Sequence, residues 1–144
     1  MSHVISMRLK DDQLKRLQRL ARRLGRTPSE TSSLLVEEAL RQSEFGHIEF
    51  RNSPVGRQAY VKGTSLAVWE VVSIAQDYQM NVDKTSEHLD WPKFRVQAAM
   101  SYAKAFAVEI AAAIEDNEHY NFETMSCMLP QAARVVAEQK EADH

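Results

Sequence analysis

The stretch Leu24-Gly25-Arg26-Thr27-Pro28-Ser29-Glu30 sets a helix stop and a helix start almost back to back. Gly25 stands where a left-handed residue ends a helix. Thr27 is a good N-cap, Pro28 suits the first turn, and Glu30 completes a Thr-x-x-Glu capping box. The open amides at such a start form an anion site. Upstream, Leu14, Leu17, Ala21 and Leu24 recur at helical spacing, with Lys15, Arg16, Arg19, Arg22 and Arg23 on the polar side. Further upstream, Val4 to Lys10 alternates, with Ile5, Met7 and Leu9 on one face and Val4, Ser6, Arg8 and Lys10 on the other. That period of two predicts a strand.

Strand, basic helix, glycine turn and second helix fill residues 1–43, and a unit of that size can seldom bury enough surface to fold alone. The order resembles the ribbon-helix-helix family, dimeric DNA binders in which strands from two chains pair and enter the major groove. The resemblance implies that Val4, Ser6 and Arg8 are the base-reading positions and that Lys10, Thr27 and Ser29 hold phosphates. The side chains suit those roles: Arg8 can bond guanine through two hydrogen bonds, Ser6 can bond either kind of base, and Val4 can touch a thymine methyl. A homodimer through the N-terminal strand, open to higher oligomers, would meet a roughly palindromic operator.

Charge divides along the chain. Residues 1–43 hold nine Lys and Arg against five Asp and Glu, whereas residues 44–144 hold nine against fifteen. A basic head on an acidic body suggests nucleic acid for the head and a different partner for the body. No apolar run approaches the roughly 18 residues of a membrane span, and no secretory leader precedes the strand, so no membrane partner and a cytoplasmic location are expected. The single cysteine, Cys127, permits no internal disulfide.

After a linker at Gln42–Gly46, His47-Ile48-Glu49-Phe50 and Ala59-Tyr60-Val61 predict a short hairpin. Val68, Val71, Val72 and Ala75 mark a helix to about Tyr78, and a second helix is expected from Asp83 to Leu89 before the turn Asp90-Trp91-Pro92. A third, with Phe94, Ala98, Met100, Tyr102, Phe106 and Ile110, is expected to reach Asp116. Two helices across a short turn resemble a helix-turn-helix unit. Its last helix carries Lys93, Arg95, Gln97 and Lys104, the right chemistry for reading DNA, but in an acidic region that would repel phosphate.

Residues 47–116 also resemble the uncharacterised-domain family numbered 433 (DUF433), on Gly63-Thr64, Val68-Trp69, Val96, Ala98-Ala99, Tyr102 and Glu109-Ile110. Departures from that pattern stand at Val55, Gln58 and Ser65-Leu66-Ala67. The family often supplies antitoxins to PIN-like ribonuclease toxins, so the resemblance implies a cognate toxin as partner. In the tail, residues 117–144, Met125, Met128 and Leu129 precede Pro130, and Ala132, Val135 and Val136 follow at helical spacing. A short amphipathic helix needs a surface to lie on. Met125, Met128, Leu129, Arg134, Val135 and Val136 are therefore the expected toxin-binding residues, with Arg134 reaching a carboxylate cluster. Packing of the tail on its own domain or onto its dimer mate is the alternative.

The five histidines are scattered without metal-ligand spacing, and no glycine-rich phosphate loop or nucleophile elbow is present. No enzyme activity, cofactor or metal is expected. The fold class expected is mainly α with short β: an N-terminal ribbon-helix-helix with a dimeric β-ribbon, then a small helical domain with a hairpin and a C-terminal helix. The function expected is an antitoxin that silences a ribonuclease and autorepresses its operon. The alternative is a stand-alone repressor whose second domain serves oligomerisation or an effector.

Overall fold

Two helices flank Gly25. In the computed structural model, which describes the backbone of residues 1–128 and the side chains of residues 1–119, α1 spans Asp11–Leu24 and α2 spans Pro28–Glu44. Gly25 ends α1 in the left-handed region at φ 66°, a conformation that costs glycine nothing because it lacks a Cβ. Thr27 caps α2, its hydroxyl accepting from the Glu30 amide at 3.1 Å. The Glu30 carboxylate then accepts the Thr27 hydroxyl rather than the Thr27 amide that a full capping box would use.

The expected N-terminal strand is not formed, and this overturns the ribbon-helix-helix fold class. Residues 1–10 adopt no strand, and the one sheet among the described residues lies after both helices. It pairs β1 (Ile48–Ser53) with β2 (Gly56–Val61), antiparallel, from Ile48 opposite Val61 to Ser53 opposite Gly56. Side-chain alternation states which faces a strand would have, but a strand exists only where its backbone finds a partner. Within this chain β1 and β2 pair with each other, and Val4 to Lys10 adds to neither of their open edges. Lys10 instead starts α1, its amide donating to Gln13 Oε1 at 3.0 Å.

The chain divides into two units between Lys62 and Gly63. Unit 1 holds α1, α2 and the hairpin. Glu38 on α2 is buried and receives Arg57 of β2, whose Nε lies 3.0 and 3.2 Å from the two carboxylate oxygens. Nη1 of the same guanidinium donates to Asn52 Oδ1 at 3.1 Å, so its fork ties the helix to both strands. Removing the carboxylate strands a partly desolvated cation. Glu38→Ala is expected to lower unit 1 stability by about 1–3 kcal/mol in urea unfolding, below the range of a fully buried pair because Arg57 keeps about a quarter of its side chain in water.

Unit 2 contains α3 (Val68–Asp77), α4 (Val82–Leu89), α5 (Lys93–Ala105) and α6 (Ala107–Met128). Its core is Ala67, Val68, Val71, Val72, Ala75, Val96, Ala99, Tyr102 and Ile110, all buried. The inner face of α3, with Val68, Val71, Val72 and Ala75 buried, packs against α5, whose buried residues are Val96, Ala99 and Tyr102. The single helix expected from Phe94 to Asp116 is in fact two, broken at Phe106, where φ −123° and ψ 48° leave the helical region. No proline or glycine marks that break. The Phe106 ring lies 4.7 Å from the Tyr102 ring, and α6 then runs on to Met128, past the expected boundary.

Candidate nucleic-acid interface

The amino-terminal arm is open to solvent along its length. Val4 is 96 % exposed and Ile5 87 %, and Ser6, Arg8 and Lys10 are exposed with them. The apolar parity predicted for burial is therefore only partly used: Met7 and Leu9 line a groove of about 550 Å³ with Leu17 and Leu20 of α1 and Leu35 and Val36 of α2, while Ile5 stays outside. Among α1 and α2 side chains, Ala21, Thr31 and Glu38 are buried. Leu17, Leu20, Leu24 and Leu34 reach only half-burial. Unit 1 thus presents an apolar surface that its own residues do not cover.

Cations crowd the same segment. Arg8, Lys10, Lys15, Arg19, Arg22, Arg23 and Arg26 are exposed and form no ion pair among the described residues. Arg16 alone on α1 reaches a carboxylate, Asp12 at 3.5 Å. On α2, by contrast, Arg41 is held by Glu37 at 2.8 Å. The start of α2 adds backbone donors. Pro28 has no N–H and the Glu30 amide is taken by Thr27, so the exposed Ser29 amide is a first-turn donor without an intrahelical acceptor. The helix dipole places partial positive charge at that point. Thr27 and Ser29, expected to hold phosphates, thus flank an N-terminus with a free donor, whereas Val4, Ser6 and Arg8 sit in an unpaired arm rather than on one face of a strand.

The other candidate reader, α5, is less suited than its sequence suggests. Lys93 donates to Asp83 of α4 at 2.8 Å, and that hydrogen bond, with the charge of the same carboxylate, holds its ammonium pKa above the usual lysine value. Arg95 is half-buried: its Nη2 lies 3.3 Å from where a Cβ on Gly63 would stand, its Nε is buried without a partner, and its guanidinium carbon is 5.9 Å from the Phe94 ring centre. Gln97 and Lys104 are exposed. Residues 63–119 carry four Lys and Arg against nine Asp and Glu, so phosphate would meet a repulsive field.

Both ends of α4 are closed by local hydrogen bonds. Asn81 caps α4, accepting from the Lys84 amide at 2.9 Å, and Asp90 closes it in the left-handed region at φ 55°, with the Trp91 amide bound to the Ser86 carbonyl at 3.0 Å. Gly63, at φ 80° and beneath Arg95, is where a side chain fits neither the backbone nor the space. Gly63→Ala is expected to destabilise unit 2 by about 1–2 kcal/mol, read as a lower thermal midpoint.

Of the expected toxin-binding residues, Met125 and Met128 lie in the last turns of α6, while Leu129, Arg134, Val135 and Val136 lie outside the described residues. Among the described residues no cluster of three or more His, Cys, Asp or Glu side chains is placed to hold a metal ion, and no helix is long and apolar enough to cross a membrane. Sequence reasoning placed Lys15, Arg19, Arg22 and Arg23 on a polar face but assigned them no task. Comparison with protein-family models, curated proteins and solved structures finds no match for this chain.

Proposed function

We propose that this chain is a DNA-binding antitoxin: the basic N-terminal unit holds operator DNA and represses the operon, and the acidic C-terminal region captures and silences a PIN-like ribonuclease. The DNA half is carried by one observation, seven exposed cations without carboxylate partners between Arg8 and Arg26, beside an open helix N-terminus. Such a field favours polyanions and speeds their encounter. The toxin half draws its support from the resemblance of residues 47–116 to the uncharacterised-domain family and from the acidic charge of that region.

A second copy of the chain is the natural cover for the open groove of unit 1. Four leucines of the α1–α2 pair are only half-buried, too little core for so small a unit to stand alone. The full chain is expected to scatter light as a dimer, and Leu20→Asp with Val36→Asp to convert it to a monomer. A monomeric wild type would remove this part of the proposal.

Growth of cells expressing the adjacent open reading frame, alone and with the full chain, tests the whole reading. Toxicity relieved by the wild type, and equally by an Arg8→Ala, Lys10→Ala variant that no longer shifts upstream DNA, is the expected result. A harmless neighbour with DNA binding intact leaves a stand-alone repressor in place of an antitoxin. Loss of both effects removes the proposal.

A further inference from the structure

One face of α1 is built as a line of positive charge, and two of its members, Arg19 and Arg23, also line the groove between α1 and α2. At 100° per residue, Lys15, Arg19, Arg22 and Arg23 fall within an arc of about 100°, and all four are exposed. Ala21, buried, and Leu17, Leu20 and Leu24, half-buried, occupy the other side of the helix. Lys15 to Arg23 covers about 12 Å of helix axis, hence one cation every ~4 Å. A DNA strand carries one phosphate every ~3.4 Å of its axis. The two linear charge densities agree.

Local helix stability does not account for this line. Lys15 and Arg19, and Arg19 and Arg23, are like charges four residues apart, a spacing at which they repel. The helix dipole favours cations in the last turn, which covers Arg22 and Arg23 but not Lys15 or Arg19. Asp11 and Asp12 stand at the opposite end, and Asp12 is engaged with Arg16. Four cations kept in register without counterions fit an external polyanion.

We infer that the Lys15–Arg19–Arg22–Arg23 face of α1 tracks a phosphodiester backbone, as a contact surface additional to the arm and the α2 N-terminus. This inference rests on the DNA-binding reading above and adds a sequence-independent grip to it. The occupant is duplex DNA, because the face continues the unpaired cations Arg8 and Lys10 of the arm and its mean linear charge density is close to that of one DNA strand.

The test uses the full chain and a mixed-sequence 30-base-pair duplex, with binding followed by fluorescence anisotropy at several salt concentrations. Lys15→Gln, Arg19→Gln, Arg22→Gln and Arg23→Gln are combined in one variant, and a second variant exchanges each Arg for Lys and Lys15 for Arg. Each phosphate contact given up flattens the log–log salt dependence by about 0.9, so the neutral variant is expected to lose about 3 to 4 from its slope and the charge-retaining variant less than 1. Circular dichroism and light scattering confirm that helix content and oligomeric state are unchanged. Wild-type binding with an unaltered slope in the neutral variant overturns the inference alone. Absence of wild-type binding at ~50 mM salt overturns the DNA reading together with it. Tighter binding of poly-glutamate than of the duplex at equal charge concentration, lost in the neutral variant, assigns the face to an acidic protein and likewise overturns it.

Discussion

Raising salt from ~50 to ~200 mM is expected to weaken binding of the full chain to duplex DNA by about three orders of magnitude. Seven cations between Arg8 and Arg26 have no carboxylate partner among the described residues, so each is available to displace a condensed counterion. If six meet phosphates, the log–log slope is about −5, and a fourfold rise in salt compounds it into that loss. A slope shallower than about −2 would mean that few of them touch DNA. Within this field Arg8 and Lys10 should separate. Arg8→Ala is expected to cost about 1–3 kcal/mol per half-site on a preferred sequence and much less on others, as for a side chain that reads a base. Lys10→Ala should weaken all sequences alike and flatten the slope by about 1. Equal, sequence-independent losses would reduce Arg8 to a phosphate contact.

The largest effect on stability is expected at Tyr102. Its side chain is fully buried in unit 2, its ring meets Phe106, and its hydroxyl donates to Glu109 Oε2 at 2.9 Å. Tyr102→Ala removes a whole aromatic ring from a small core and should cost about 3–5 kcal/mol, enough to unfold a marginal unit at 37 °C. Tyr102→Phe keeps the ring and loses only the hydrogen bond, for about 1–2 kcal/mol. Chemical unfolding followed by tryptophan emission reads both, since Trp69 and Trp91 lie in unit 2. The ordering is the decisive outcome. A phenylalanine variant as unstable as the alanine would place the energy in the Tyr102–Glu109 bond and not in the packing.

Signals confined to a few consecutive residues were legible. Gly25 ends one helix, Thr27 starts the next, and the turn at Asp90 ends α4, because each acts through hydrogen bonds within one turn of backbone. The hairpin between His47 and Thr64 and the valine face of α3 could be read for the same reason: periodicity and turn chemistry are local. The unpaired cations of α1 were visible as a polar face, but their lack of counterions was not, since that depends on where Asp11, Asp12 and Glu30 come to lie.

Three features escaped the sequence because their causes lie far apart in it. Glu38 and Arg57 are nineteen positions apart, and neither residue type announces a buried ion pair. The break at Phe106 carries no glycine or proline, and it separates α5 from α6, both of which pack on the distant α3. Arg95 reads as an exposed recognition residue on α5 until the Gly63 turn folds against its guanidinium.

Residue order alone was enough to establish the helix boundaries at Gly25, Thr27 and Asp90 and how charge divides between the two ends of the chain, since capping, turn chemistry and net charge are properties of neighbouring residues. The fate of Val4 to Lys10, the division after Lys62 and the partners of Glu38, Arg95 and Tyr102 were decided only by tertiary structure. The alternating arm has the side chains of a strand but pairs with no other backbone in this chain, and hydrogen-bond pairing is a relation between distant segments that no local pattern contains.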